Sequence, residues 1–573
     1  MANKLELTWY GKDKEISVEP RLLIERPELS NTDAAPDTEN MLIHGDNLLA
    51  LKALEADYSG QVKCIYIDPP FNTGQAFEHY DDNVEHSIWL NLMYERFKCL
   101  YKLLENNGMF WIHLDDIEVH YCKVILDEIF SRNNFVAHIT YERSAVAGLG
   151  QGGYLVNTTE HILLYRKGLL PNKINLSYEE LGFNIIKRYN RYVADFGTRK
   201  LVREFFAKSN GEVVRVYEHT GVVIETISLR EPKKREAEIR ASFAEHIETL
   251  FRGNRVQKEN EFQNDIIAGL DKDKFYSVDY IPSRGKNKDV LTTLFYNNCE
   301  LLSWLKDTTT LTDGMLTKSQ KMTTLWKHGE IPKADIANEG GVSFPRSKKP
   351  EQLIRRIIEM STEPGDIVLD SFLGSGTTAA VAHKMGRRYI GIEMGNHAYT
   401  HCKTRLDSVI SGDDKLGITK SMDWQGGGGY RFYELAPTLI NKDESGEYII
   451  NPDYSADMLA AAMALHEGFT YEPDSSAFWK QSHGNEKSYL FVTTRHLNTA
   501  FMDSIIGGME DDEYLVIACC SFDKGMDKLN PHITVKKIPQ MLLERCEFDK
   551  ADYNLNIIHP PVYDDEEECD DEG

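Results

Sequence analysis

Four consecutive residues, Asp68-Pro69-Pro70-Phe71, bring together a carboxylate, two residues without backbone N–H groups and an aromatic ring. Each proline fixes φ, and the residue before a proline is pushed out of the helical region. The run is a stiff corner that holds an acid, a backbone carbonyl and a ring close to one another. An amino group gripped by two acceptors while its own ring is stacked needs those parts. A polar turn with a chance aromatic would use the same four residues, so the corner alone does not decide.

A second stretch has equally pointed chemistry. Asp366–Asp370 reads as a short buried strand, Ser371-Phe372-Leu373-Gly374-Ser375-Gly376-Thr377-Thr378 as a glycine turn, and Ala379–Met385 as a helix. Glycines let a ligand approach the backbone, and a helix start offers free N–H groups. The next strand, Tyr389–Ile392, ends at Glu393, an acid placed to accept hydrogen bonds from a ribose diol. Dinucleotide and S-adenosylmethionine sites share this signal. Gly374-Ser375-Gly376-Thr377-Thr378-Ala379 meets the dinucleotide pattern, so an NAD enzyme is an alternative when these residues are taken in isolation.

The elements that must position both stretches follow from hydrophobic periodicity. Val62–Ile67 is a buried strand leading into Asp68. Met41–His44, a Gly45-Asp46-Asn47 turn and a helix with Leu48, Leu49, Leu51 and Leu54 precede it, giving a βαβ unit over 41–71. Asp46 and Asp68 should therefore open on one rim of a parallel sheet, although Asp46 is also placed to cap the helix. A helix over about Ser87–Glu105 capped by Asn107-Gly108, strands at 109–114, 135–141 and 161–166, and a helix to about Phe130 make the first 170 residues α/β throughout. Ala147–Gly153 reads as a flexible loop. His113 ends a strand and reads as a core or rim histidine.

Residues 171–330 change character, with irregular helical and extended pieces. Positive charges cluster there (Arg188, Arg191, Arg199, Lys200, Arg203, then Lys233, Lys258 and Lys286), interleaved with Tyr189, Tyr192, Phe196, Phe205 and Phe206. Such a mixture suits nucleic-acid contact, but neighbouring acids allow a merely solvated face. From about 411 a separate α/β region follows, after a Gly426–Gly429 join, with strands at 447–450, 489–493 and 514–518 and helices near 456–466 and 498–507.

The 573 residues are enough for several domains. The formal net charge of −25 argues against a nucleic-acid partner overall, but much of the excess sits in the tail Asp564–Glu572, and charge acts locally. The nine cysteines show no CxxC pair and no metal-like cluster with histidine, so no metal is expected and the thiols read as reduced and cytosolic. No apolar run is long enough to span a bilayer, and no P-loop is visible.

Taken together, the two stretches match a pair of marks. The sequence resembles amino-methylating DNA methyltransferases, which carry a Phe-x-Gly-x-Gly loop (Phe372–Gly376) and an Asp-Pro-Pro-Tyr/Phe loop (Asp68–Phe71). The order, catalytic motif first, resembles the β class. Leu5–Trp9, His44–Asn47, Ile67–Gly74 and Glu160–Tyr165 further resemble the modification (Mod) subunit of type III restriction–modification systems.

The resemblance implies an α/β, Rossmann-like doubly wound sheet with circularly permuted motif order. Its parts would be an N-terminal arm (1–40), a catalytic half (41–170), an inserted target-recognition region (171–330), a cofactor-binding half (331–425) and a C-terminal interaction or dimerisation domain (426–573). It implies adenine-specific methylation of double-stranded DNA with S-adenosyl-L-methionine as cofactor; a serine in place of Asp68 would suggest cytosine. Asp68, Pro69, Pro70 and Phe71 would be catalytic. Asp46, Lys349, Asp370, Phe372, Gly374, Gly376, Thr377 and Glu393 would bind the cofactor, Lys349 either serving its methionine carboxylate or standing exposed. Phe71 departs from tyrosine without losing the stacking face. A homodimer and an ATP-dependent restriction subunit are the implied partners. A solitary methyltransferase and a DNA-recognition subunit of a defence complex are the alternatives.

Overall fold

The computed structural model describes the chain except residues 1–5, 14–15, 72–85, 145–155, 169–177, 181, 233, 257–258, 285–286, 313–314, 320–322, 332–337, 345–347, 544, 549, 551–552 and 554–573. The expected loop Ala147–Gly153, the acidic tail, and Lys233, Lys258 and Lys286 lie outside the described residues. Two compact units form: residues 1–175 with 323–573, and residues 176–322. No helix among the described residues is long and apolar enough to cross a membrane.

The first unit is built on a ten-stranded sheet. Its early strands are β1 (Leu23–Glu25), β2 (Met41–His44), β3 (Val62–Ile67), β4 (Leu104–Leu114), β5 (Phe135–Glu142) and β6 (Thr159–Arg166). Three helices alternate with them: α1 (Asn47–Tyr58), α2 (His86–Leu103) and α3 (Val119–Phe130). The spatial order is β1, Arg431–Leu435, β2, Arg388–Glu393, Ile367–Asp370, β3, β4, β6, β5 and Leu325–Trp326. From Arg431–Leu435 through β4 every neighbouring pair is parallel. β6 then runs antiparallel to both β4 and β5.

The strands of the expected βαβ unit are thus not neighbours. Ile367–Asp370 and Arg388–Glu393, from far down the chain, lie between β2 and β3. Alternation in β3 explains why both sheet faces are covered. Ile65 and Ile67 join the core formed with Leu48, Leu51, Trp89, Phe97 and Leu126 of α1–α3. On the other face Trp111 donates from Nε1 to Ser361 Oγ at 2.8 Å, which ties the helix Glu351–Ser361 to β4. A strand buried on both faces reads as a nearly continuous apolar run, as Val62–Ile67 does.

Several expectations are corrected. The arm supplies strand β1, which pairs antiparallel with Arg431–Leu435. The boundary at 426 falls too early, because Arg431–Leu435 lies inside the central sheet beside β2. Asn107-Gly108 does not cap α2; both residues belong to β4, which starts at Leu104 directly after the helix.

Residues 176–322 are more regular than their sequence. They carry an eight-stranded sheet, antiparallel throughout. Bulges at Val216/Tyr217 and Val223/Ile224 shift the register, and each shift breaks the two-residue alternation by which strands are recognised. Most basic residues of this unit have local partners. Arg199 pairs with Asp279 at 3.3 Å and lies over the Tyr217 ring; Lys274 pairs with Glu218 and Asp271; Arg235 pairs with Glu238. Lys200 and Arg188 are exposed, and Phe206, on the edge strand Thr198–Phe206, is 72% exposed.

The C-terminal part forms a five-stranded sheet in which Ser488–Thr493, Tyr514–Cys519 and Ile533–Lys537 run parallel. Helices Ala456–Glu467 and Thr499–Ile506 contribute Leu459 and Met463, and Met502 and Ile505, to its two apolar cores.

Candidate active site

The parallel strands deliver a row of acids to one rim, the carboxyl ends where open α/β sheets bind ligands. Asp46 follows β2, Glu393 ends its strand, Asp370 ends the strand beside it, Asp68 follows β3 and Asp115 follows β4. Because β6 runs the other way, its first residues, Thr159 and Glu160, reach the same rim. A cavity of about 430 Å³ opens there. Its lining includes the corner Asp68–Phe71 and the turn residues Asp370, Phe372, Gly374 and Thr377, with Lys349 and Glu160 between them.

The corner is anchored from behind. The Pro70 carbonyl accepts a hydrogen bond from Trp89 Nε1 of α2 at 2.8 Å, and Trp89 is fully buried. Asp68 points its Oδ2 toward Lys349 Nζ at 3.3 Å. Its Oδ1 is buried without a hydrogen-bond partner among the described residues. Burial pushes the Asp68 carboxyl up, against the opposing pull of Lys349 and His113. Lys349 Nζ also lies 3.3 Å from Glu160 Oε2 and 4.6 Å from the centre of the Phe71 ring. Burial works against its charge, but Asp68 and Glu160 outweigh burial and hold its pKa above the ordinary lysine value.

Glu160 is the hub that sequence reasoning left without a role. Its Oε2 is 2.7 Å from His113 Nε2 and its Oε1 3.7 Å from Arg143. Burial raises this carboxyl, yet Lys349, His113 and Arg143 together hold it well below the usual range. His113 in turn meets the Tyr66 hydroxyl at 3.1 Å through Nδ1. The one signal for Glu160 was an acid opening an otherwise apolar strand, Glu160-His161-Ile162-Leu163-Leu164-Tyr165.

The glycine turn is held shut by its acids. Asp370 accepts the Phe372 N–H at 2.9 Å and the Thr378 hydroxyl at 2.6 Å. Burial nevertheless pushes its carboxyl up to about 7. Glu393 accepts the Gly374 N–H at 2.7 Å and the Gly395 N–H at 3.0 Å, so it stands behind the turn and does not line the cavity. Gly376 is left-handed (φ +80°), and a Cβ there would stand 3.2 Å from the Cys402 backbone. Arg405, fully buried, braces the turn through Thr377 Oγ1 at 2.7 Å and is itself paired with Glu351 at 2.7 Å.

Asp46 is placed elsewhere. Its Oδ1 caps α1 by accepting from Leu48 and Leu49, and its Oδ2 takes Arg96 and the Tyr553 N–H, each at 3.2 Å. It is buried and is not among the cavity residues. Lys349, expected beside the cofactor or in solvent, lines the cavity and is held there by two carboxylates. Among the described residues no cluster of His, Cys, Asp and Glu has the geometry to hold a metal ion.

With this geometry in place, comparison with known proteins is specific. A family model described as DNA methylase matches residues 62–404, more than half of the chain. A protein named "Probable type III restriction-modification enzyme HindVI Mod subunit", from Haemophilus influenzae, is 36% identical over 429 residues, covering 71% of this chain and 55% of its own length. The type III restriction-modification enzyme EcoPI Mod subunit of Escherichia phage P1 is 23% identical over 431 residues, 66% of this chain and 60% of the relative. The EcoP15I Mod subunit of Escherichia coli is 22% identical over 522 residues, 79% of this chain and 74% of the relative. The chain therefore spans a little over half the length of the first two of these relatives.

Proposed function

The chain belongs to the DNA methylase family, and from that premise we propose that it is an adenine-specific DNA methyltransferase, the Mod subunit of a type III restriction–modification system. The observation that carries this reading is the single cavity lined by both the Asp68–Phe71 corner and the Asp370–Thr378 turn. One holds an amino group beside a stacking ring; the other receives a nucleoside-like cofactor. A dehydrogenase has no use for the first.

The substrate is an adenine extruded from duplex DNA, because N6 is buried in pairing and stacking until the base leaves the helix. Phe71 stacks on the base. Asp68 Oδ1 and the Pro69 carbonyl accept the two N6 hydrogens, which orients the nitrogen lone pair and stabilises positive charge as it develops there. Pro70 stiffens the corner, and the Trp89 bond to its carbonyl keeps it in place. Positioning supplies much of the acceleration, since the exocyclic amine is a weak nucleophile.

S-adenosyl-L-methionine fits the other half of the cavity, and when bound it supplies an electrophilic sulfonium methyl group. The donor set suits it: a buried acid at a strand tip (Asp370), an aromatic wall (Phe372), a left-handed glycine turn (Gly374, Gly376) and a helix start at Thr377. Glu393 serves the cofactor through the turn, by holding the Gly374 N–H at 2.7 Å. Asp46 acts at one remove. It fixes the start of α1, where Asn47 donates to the Ser371 carbonyl at 2.8 Å.

Residues 176–322 select the DNA sequence, the residues beyond 435 carry subunit contacts in a homodimer, and an ATP-dependent restriction subunit is the partner. The name of the Haemophilus relative supports the Mod assignment. The reading is tested by sequencing DNA from cells expressing the chain, with a detector sensitive to N6-methyladenine, beside cells expressing Asp68→Ala. The mark is expected at one sequence motif with the wild type and is lost with the variant. No mark with a folded wild-type protein sinks the enzymatic reading.

A further inference from the structure

Lys349 lines the proposed base site, and its neighbours do not suit a ligand for a free carboxylate. Its ammonium is shared by Asp68 Oδ2 and Glu160 Oε2, both at 3.3 Å, and lies against the Phe71 ring. A carboxylate rotates broadly about its last torsion. An ammonium on Oδ2 stops that rotation and leaves Oδ1, buried and without a partner among the described residues, as the acceptor turned to the incoming amine. Lys349 alone would neutralise Asp68 in a closed pair. Glu160, clamped by His113 at 2.7 Å and by Arg143 at 3.7 Å, draws the ammonium partly away.

We propose that Lys349 and Glu160 are opposed positioning residues for Asp68, Lys349 fixing its carboxylate as an ionised, oriented acceptor and Glu160 keeping Lys349 from closing over it. The proposal rests on the methyltransferase reading and assigns Lys349 to the base side of the site, away from the cofactor's methionine carboxylate. The charged and titratable groups facing Asp68 are Lys349, His113 from β4, Glu160 from β6, Asp370 from the adjacent strand and Tyr66 from β3 itself. Of these, Lys349 and His113 favour the ionised form of Asp68 and Glu160 disfavours it. Removing Lys349 and removing Glu160 therefore push Asp68 in opposite directions, an outcome that general loosening of the site does not produce.

The test is the pH dependence of kcat for methyl transfer from labelled S-adenosylmethionine to unmethylated genomic DNA, with the full chain. Lys349→Met is expected to move the acidic limb up by about 1–3 pH units. Glu160→Gln moves it down by about half a unit or more. Lys349→Arg, which keeps the charge, holds it within about half a unit of wild type. S-adenosylmethionine affinity of Lys349→Met stays within about threefold of wild type by calorimetry. Limbs that stay put or shift together overturn the proposal. A limb unchanged in Lys349→Met with affinity at least about tenfold weaker gives Lys349 back to the cofactor. If Lys349→Met fails to fold by circular dichroism, Glu160→Gln and Lys349→Arg decide: absence of the downward shift in the former overturns the proposal. An inactive, folded wild type overturns the methyltransferase reading instead.

Discussion

Two mixed sheets in this chain each have a run of parallel strands with a cavity at the carboxyl end, and the cavities differ in what lines them. At the central sheet the tips are acids, a Pro-Pro corner and a left-handed glycine turn, around buried charge. At the C-terminal sheet a cavity of about 540 Å³ is lined by Phe478, Phe491 and Phe501 with Thr493, Thr494 and Arg495. Phe478 is 54% exposed and stacks with Phe501 at 6.1 Å. Parallel topology supplies a concave rim in both places. Chemistry comes from what the strand tips carry, and only the first rim carries carboxylates whose burial is opposed by placed cations.

The contrast can be broken most directly at Asp68. Asp68→Ala is expected to lower kcat for methyl transfer by at least about 10²–10³-fold, with cofactor affinity by calorimetry nearly unchanged. A smaller loss removes the corner from the chemistry. Phe71→Ala removes the stacking plate and should cost about 1–3 kcal/mol in kcat/KM. Phe71→Tyr should retain most activity, and equal losses in both variants would argue against stacking.

Asp370 sharpens the comparison through stability. Its carboxyl is pushed up to about 7 by burial, so the folded state holds this proton more tightly than the unfolded chain does. The resulting stabilisation is fully present below about pH 4 and is lost as pH rises through about 7. Asp370→Asn should therefore raise Tm relative to wild type by more at pH 8 than at pH 5, worth about 1–3 kcal/mol at the higher pH. A pH-independent change in scanning calorimetry contradicts the assignment. Gly376→Ala forces a left-handed alanine 3.2 Å from the Cys402 backbone, and should lower stability by about 1–2 kcal/mol while weakening cofactor binding. The smallest effect belongs to the other rim: Phe478→Ser should change methyl transfer by less than about twofold, and a large loss there would place the second cavity in the reaction.

Much of the site is legible in the sequence. Asp68–Phe71 and Asp370–Thr378 announce themselves because their chemistry is local: a proline pair fixes its own corner, and a glycine turn forms wherever left-handed backbone is required. Strand and helix spans such as Val62–Ile67 and the helix near 456–466 were legible for the same reason, since periodicity is written in neighbouring residues. Tertiary structure alone decided that Ile367–Asp370 and Arg388–Glu393 slip between β2 and β3. It also decided that residues 176–322 form a regular antiparallel sheet, that the second oxygen of Asp46 is taken by Arg96, and that Lys349 meets Glu160 across 189 residues of chain. Strand adjacency and charge pairing at that separation depend on which surfaces bury one another, and no local pattern encodes that choice.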